Sequence, residues 1–319
     1  MSAGADSAPQ RYRGRFAPSP TGPLHFGSLV AALASYCDAR AAGGEWLVRI
    51  EDVDALRAHP YAEKAILATL ERYGFAWDAD VVRQSQRTAL YEAALARLRA
   101  DGHAYECACT RREMETGQLA ASGERVYPGT CRDGIPRVRA GRAQRAARVR
   151  VGATRVAFRD RLQGLQTQAL AHDVGDFVVR RSDGLYAYQL AVVVDDALQE
   201  ITHVVRGADL LASTPRQIHL QRLIGFAELS YLHAPVVINA AGQKLSKQTR
   251  AAALPDDPLP VLLAAWRFLD QPLPEGAWMP ASVAQFWSWA IAAWRPGRLP
   301  PCAMLPAPRH FEGPPGAKV

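Results

Sequence analysis

Residues 11–50 read RYRGRFAPSPTGPLHFGSLVAALASYCDARAAGGEWLVRI. A strand-like start, residues 11–17, runs into Pro18-Ser19-Pro20-Thr21-Gly22-Pro23, a cluster that breaks regular structure. From about residue 27 to 42 the apolar and small residues predict a helix, with Ser28 as a possible cap and Gly43-Gly44 as its stop. Residues 46–50 (WLVRI) then predict a second strand. Strand, tight turn, helix and strand make a parallel βαβ unit the natural reading.

Working outward, residues 61–73 and 87–100 have the periodicity of amphipathic helices. Between 104 and 186 the character changes. Three of the five cysteines lie there, with the arginine-dense stretch RVRAGRAQRAARVRVGATRVAFRDR at 137–161. Helix–strand alternation resumes with YAYQLAVVVDDAL (186–198), the strand-like THVVRG (202–207) and a helix from about 213 to 223. After Lys247 come roughly 70 Pro- and Trp-rich residues with helices expected near 259–268 and 282–294. The expected organisation is a disordered lead-in at 1–10 and an α/β core at 11–103 and 187–248. An inserted α+β subdomain fills 104–186, and a short helical C-terminal region follows at 249–319.

The bulk numbers are those of a globular protein: 319 residues, 49% hydrophobic and 22% charged. No apolar run reaches the roughly 18 residues of a membrane span, and the start MSAGADSAPQ has no basic-then-apolar leader. The cytoplasm is the expected compartment, with no membrane partner and a monomeric state. A net charge of +7 and a pI near 9.3 suit a polyanionic partner such as RNA without establishing one. Only four of the 38 basic residues are lysine, so 34 are arginine. Such skew weakens any argument from arginine clusters. Two of the four lysines fall together in Gln243-Lys244-Leu245-Ser246-Lys247.

The first turn and that lysine pair suit nucleotide chemistry. A helix N-terminus offers unpaired N–H groups and partial positive charge to phosphate. His25 can donate to a phosphate oxygen, and Gly27 permits close approach. By itself, His-x-Gly also fits a Pro-rich turn with a capping histidine, and Lys-Leu-Ser-Lys fits an exposed loop. Lysines on a mobile loop can, however, neutralise charge that develops as a carboxylate attacks an α-phosphate.

Taken together, Pro18-Ser19-Pro20-Thr21-Gly22-x-x-His25-x-Gly27 and, some 220 residues later, Lys244-Leu245-Ser246-Lys247 resemble the HIGH and KMSKS signatures of class I aminoacyl-tRNA synthetases. Leu47-Val48-Arg49-Ile50-Glu51-Asp52-Val53-Asp54, Gln84-Ser85-Gln86-Arg87, Val194-Asp195-Asp196 and Arg206-Gly207-Ala208-Asp209 with Thr214-Pro215 are similar to segments of the glutamyl branch. The resemblance covers about residues 11–250. It implies an α/β fold: a Rossmann-type parallel sheet with the inserted subdomain and the short helical C-terminal domain. It also implies an ATP site from Pro18, Ser19, His25, Gly27, Ser28, Lys244, Ser246 and Lys247, in which His25, Lys244 and Lys247 are catalytic and Mg accompanies ATP. The glutamate site it implies comprises Arg15, Phe16, Ala17, Pro18, Ser19, Glu51, Tyr188 and Arg206. There Arg15 and Arg206 hold carboxylate, Glu51 the ammonium, and Tyr188 closes the pocket. Arginine forks suit a ligand with two carboxylates and one amine.

The 70 residues after the lysine loop are too few for a helical anticodon-binding region. In this the chain resembles the truncated glutamyl paralogues that act on queuosine in tRNA(Asp). The resemblance implies tRNA-independent activation of L-glutamate and transfer to queuosine in the tRNA(Asp) anticodon. Ala208 and Leu210 stand where the glutamyl enzymes carry Glu and His. Rival readings are a truncated glutamyl-tRNA synthetase charging tRNA(Glu), a non-catalytic RNA-binding relic and, more remotely, a small-molecule nucleotidyltransferase of the same fold.

Cys107-Ala108-Cys109, then Tyr127 and Cys131, offer closely spaced thiolates. Spacing alone leaves a metal site and inert thiols equally open. The resemblance implies one structural zinc held by Cys107, Cys109, Cys131 and the Tyr127 oxygen, with His103 or water as other candidates for the fourth position. Cys37 and Cys302 read as packing residues, and His59, His172 and His233 as non-catalytic. Arginines 137–161 fit either a phosphate-tracking surface or a solvated face.

Overall fold

The computed structural model describes residues 11–54, 58–115, 117–120, 123, 125–245 and 251–311. The expected βαβ unit opens the fold. β1 (Arg13–Phe16) leads through the proline loop into α1 (Phe26–Ala41), and β2 (Glu45–Ile50) returns parallel to β1, Arg13 opposite Glu45 and Phe16 opposite Val48. The return is tight because Gly44 lacks a side chain: a Cβ there would meet the Tyr12 carbonyl oxygen at 2.4 Å. α2 (Pro60–Arg72) and β3 (Val82–Arg83) extend the pattern, β3 pairing parallel with β2, and α3 (Thr88–Ala100) follows.

The next span divides its strands between two sheets. β4 (Ala104–Cys107) and the one-turn α4 (Arg111–Met114) precede β5 (Ala146–Val149). β6 (Arg155–Asp160) and β7 (Gly164–Ala169) form a hairpin, and α5 (Leu170–Asp173) leads to β8 (Phe177–Arg180). β4, β5 and β8 make a small antiparallel sheet. The hairpin instead joins the main sheet. α6 (Tyr188–Leu198), β9 (His203–Gly207), α7 (Thr214–Ile224) and β10 (Ser230–Ala234) complete that sheet, with β10 parallel to β9 on one side and to β6 on the other. The Thr202 N–H donates to the Arg13 carbonyl at 2.9 Å, which sets β9 beside β1. β11 (Val236–Ile238), α8 (Pro258–Phe268), α9 (Val283–Ala293) and β12 (Met304–Pro306) end the fold. β12 pairs parallel with β11, a strand in a region whose sequence predicts only helices.

A sheet covered on both faces needs apolar residues pointing both ways. The period-two alternation supplies them. Trp46, Val48 and Ile50 of β2, Val205 of β9 and Leu232 of β10 face a core shared with α1, α8 and α9. Leu47, Val204 and Tyr231 face the opposite core, built with α3, α6, α7 and strands β5 and β8. Trp46, Trp266 and Phe286 are fully buried, and each such side chain contributes about 1.5–3 kcal/mol. Among the described residues no helix is long and apolar enough to cross a membrane.

Candidate active site

A cavity of about 310 Å³ opens where β1, β9 and β10 end beside the start of α1. It brings together every described residue the sequence implicates in ATP or glutamate binding. Arg15, Phe16, Ala17, Pro18, Ser19, His25, Gly27, Ser28, Glu51, Tyr188, Arg206 and Lys244 all line it. Ser246 and Lys247 lie outside the described residues. The ends of parallel strands beside a helix N-terminus are where ligands bind in this architecture.

At one end, His25 rather than Ser28 caps α1. Its Nδ1 accepts the Ser28 N–H at 3.3 Å, so the proton of the neutral ring belongs on Nε2. The cap and the chemistry are therefore compatible: one nitrogen satisfies the helix, and the other is a donor. Gly27 makes room for this ring, because a Cβ at 27 would sit 3.3 Å from two of its atoms. The proline loop is pinned to the end of β2 by the Glu51 N–H, which donates to Pro18 O at 3.0 Å. Lys244 stands on a tight turn after β11, where the Leu245 N–H returns to Val237 O at 2.8 Å. Its ammonium is half-exposed and pairs with Asp209, also on the cavity wall.

The other end is built on buried charge. Asp196 of α6 accepts Arg15 Nε at 3.1 Å and Arg15 Nη2 at 3.4 Å, and lies 2.8 Å from Arg49 Nη2. Burial opposes the ionised carboxylate, but Arg15 and Arg49 beside it hold Asp196 below the usual range. Arg15 thus presents Nη1 to the cavity without a hydrogen-bond partner among the described residues. Burial pushes Glu51 above the usual carboxylate range despite Arg49 and Arg15 nearby. Arg206 donates Nε to His233 Nε2 (3.1 Å), Nη1 to Tyr188 OH (3.2 Å), and Nη2 to Thr214 Oγ1 (2.8 Å) and Gln217 Oε1 (2.7 Å). Four of its five N–H groups are committed, and one Nη1 N–H remains for a ligand. The wall carries three cations (Arg15, Arg206 and Lys244) against two carboxylates (Glu51 and Asp209), which favours an anionic ligand.

Other signature residues bind one another. Gln84 Nε2, Arg87 Nε and Tyr91 OH all donate to the fully buried Asp195, at 2.8, 2.6 and 2.8 Å. The Ser85 backbone N–H and hydroxyl donate to Asp52 at 2.8 and 2.6 Å. The Asp195 contacts tie α3 and the turn after β3 to α6, and the Asp52 contacts tie that turn to the end of β2. Sequence reasoning gave no role to Asp196, Asp209 or the pair Asp160 and His233. The first two stand inside quoted motifs, whereas the last pair carries no local signal.

Cys107, Cys109 and Cys131 converge until their sulfurs lie within 4.8 Å of one another, the single such group of three metal-ligating side chains among the described residues. The Tyr127 oxygen lies 3.3 Å from Cys107 Sγ and 3.7 Å from Cys109 Sγ, and accepts the Cys131 N–H at 2.9 Å. Gly175 admits this approach, since a Cβ there would meet Tyr127 N at 2.8 Å and its φ is +70°. Burial pushes the Cys109 thiol up to about 11, whereas Cys107 is lowered by hydrogen bonds from Tyr127 and Cys109 that outweigh its burial. The donor set can hold a metal ion. Of the arginine-dense stretch, Arg139 and Arg142 pair with Glu113, Arg145 with Glu106 and Arg161 with Asp38. Arg137, Arg155 and Arg159 are exposed and take no carboxylate among the described residues.

Known proteins are similar to this chain in sequence and fold. The family model described as "tRNA synthetases class I (E and Q), catalytic domain" matches residues 11–257. The glutamyl-Q tRNA(Asp) synthetase of Dechloromonas aromatica is 57% identical over 300 residues, spanning 93% of this chain and 98% of the relative. The chain belongs to the glutamyl-Q tRNA(Asp) synthetase family. Another protein of that family, from Burkholderia pseudomallei, is 59% identical over 292 residues, covering 89% of this chain and 96% of its own. Membership makes the chain a ligase of the class I tRNA synthetase type. A crystal structure of a glutamate tRNA ligase from Elizabethkingia meningosepticum superposes with a TM-score of 0.76 at 22% identity. It covers 95% of this chain and 68% of the other, and shows that the fold is shared.

Proposed function

We propose that this synthetase activates L-glutamate with ATP, without tRNA, and transfers it to queuosine in tRNA(Asp). The observation that carries the reading is one cavity joining a helix N-terminus with His25 and Lys244 to a second end bearing Arg15, Glu51, Tyr188 and Arg206. Phosphate chemistry and recognition of a two-carboxylate amino acid meet there. Relatives sharing 57–59% identity carry the glutamyl-Q name, which supports the acceptor. An RNA substrate and a nucleotide co-substrate support the cytoplasm as its compartment.

Glutamate is held by Arg15 and Arg206 on its carboxylates and by Glu51 on its ammonium, with Tyr188 fixed by its bond to Arg206. ATP, with Mg, lies along the proline loop and the start of α1. An oxygen of the α-carboxylate bonds to the α-phosphorus as the bond to the β-phosphate breaks, and pyrophosphate leaves. His25 Nε2, the N–H groups of the first turn, Lys244 and Lys247 stabilise charge that grows on the phosphoryl oxygens; positioning and electrostatics carry the rate. The queuosine hydroxyl oxygen then forms an ester with the glutamyl carbon, and AMP departs.

The cysteine cluster fits zinc. For Zn–S bonds near 2.3 Å in a tetrahedron, sulfurs are about 3.8 Å apart, and a sulfur and an oxygen ligand about 3.5 Å apart. Cys109 and Cys131 are 3.7 Å apart, and the Tyr127 oxygen lies 3.3 and 3.7 Å from two sulfurs. Cys107, Cys109, Cys131 and Tyr127 would hold the ion, whose contribution there is structural.

Glutamate-dependent ATP–pyrophosphate exchange with no tRNA present tests the activation step. Charging of queuosine-bearing tRNA(Asp) beside tRNA(Glu) tests the acceptor. Exchange that requires tRNA, or esterification of tRNA(Glu) alone, would overturn the proposal.

A further inference from the structure

Behind Arg206 lies a buried chain of polar groups that crosses the sheet. Asp160 ends β6, and both its side chain and that of His233 on β10 are completely buried. Asp160 Oδ1 accepts three backbone N–H groups, from Leu162 at 3.0 Å, Gln163 at 2.8 Å and His233 at 3.3 Å. Its Oδ2 lies 2.6 Å from His233 Nδ1. Those bonds keep Asp160 ionised against its burial, and burial pushes His233 down to about 4. A neutral imidazole facing a carboxylate through Nδ1 carries its proton there. Nε2 is then an acceptor, and Arg206 Nε occupies it at 3.1 Å.

We infer that Asp160 and His233 are positioning residues of the glutamate pocket: the carboxylate selects the histidine tautomer, and the tautomer aims the Arg206 guanidinium. The inference rests on reading this cavity end as the glutamate site. Arg206 has one N–H left for a ligand, so rotation of the fork by one nitrogen would misplace it. Without an acceptor at Nε the fork has reason to rotate, because a buried donor left unmade is costly. The pair acts at a distance in sequence, since Asp160 belongs to the β6–β7 hairpin. The same hairpin is tied elsewhere: Gln163 Nε2 donates to His233 O at 2.9 Å and to Cys302 O at 3.2 Å.

Asp160→Asn is the sharp test because it keeps the shape and inverts the proton. The amide introduced by this substitution retains its oxygen on the three backbone donors and turns an N–H₂ towards His233 Nδ1. The ring proton must then move to Nε2, 3.1 Å from the Thr214 hydroxyl, and Arg206 Nε loses its acceptor. In exchange assays without tRNA, D160N and His233→Leu should raise KM for glutamate at least about tenfold, with KM for ATP within about twofold. His233→Gln, which can both accept from Arg206 and donate to Asp160, should stay within about threefold of the parent. Imidazole ¹⁵N spectra of the intact protein should show Nδ1 protonated in the parent and Nε2 protonated in D160N. Equal KM for glutamate in the Leu and Gln variants would overturn the inference, as would an unchanged tautomer and KM in D160N. If D160N does not fold, the Leu–Gln pair decides. Failure of the unmodified protein to exchange with glutamate would refute the functional reading instead.

Discussion

His25 does two things that different substitutions can separate. Its Nδ1 caps α1 through the Ser28 N–H, and in the proposed reaction its Nε2 donates to phosphate. His25→Ala removes both. Loss of an N-cap costs about 1 kcal/mol, which for a chain of this size lowers Tm by about 2 °C. His25→Asn removes only the second function, because asparagine is among the best N-caps and its oxygen can take the Ser28 N–H. Its side chain is too short to replace Nε2, but the cap survives, and stability should stay within a few tenths of a kcal/mol. Losing one donor aimed at transition-state charge costs about 2.7–4 kcal/mol, or 10²–10³ in kcat. The two variants should therefore differ in thermal melting and agree in glutamate-dependent ATP–pyrophosphate exchange. An Asn variant exchanging at more than about a fifth of the parent rate would refute the reasoning and leave His25 as a cap alone.

Three further outcomes are expected. Glu51→Gln should raise KM for glutamate with little change in KM for ATP, since an amide binds an ammonium weakly. Because the free Glu51 carboxyl titrates above its ordinary 4.5, kcat/KM for glutamate should fall as pH drops through that raised value, and an acid limb at or below 4.5 would contradict the assignment. Cys131→Ser should lose bound zinc by elemental analysis and lower Tm; unchanged metal content would exclude the cluster as the site. Asp38, held down by Arg161 and Tyr12 against its burial, adds stability that is complete above the unfolded value near 3.9 and is lost as pH falls through its lower folded value. Asp38→Asn should cost about 3 kcal/mol, the low end for a broken buried pair because Arg161 keeps some contact with water, and should flatten the acid-unfolding curve in that window.

The strand–loop–helix–strand opening was legible because breakers and apolar runs mark each boundary; α1 lies within a residue of its expected limits. The short strands were not. Met304–Pro306 sits among prolines and shows no alternation, and it becomes a strand only because β11 offers an edge. The cavity residues were legible through their motifs, yet motif identity did not separate ligand contacts from supports: Gln84 and Arg87 hold Asp195 rather than the cavity. Asp160 and His233 are 73 positions apart, and only the β6–β10 adjacency turns an unremarked aspartate and a histidine read as non-catalytic into one device. The Ser28 cap was misjudged because the helix begins at Phe26, which makes His25 the cap and leaves Ser28 inside the first turn as the donor that His25 accepts.

The match to the synthetase catalytic domain stops at residue 257, which invites cutting the gene there to obtain a minimal catalyst. The indoles argue against the scissors. Trp294 donates to Asp38 of α1 at 3.1 Å, and Trp287 to the Tyr73 carbonyl at 2.9 Å, while Tyr73 itself reaches the Pro255 carbonyl. Severed from α8 and α9, α1 would stand with one flank bare, so a designer grafting a new RNA-reading module would have to keep both tryptophans and attach the cargo beyond them.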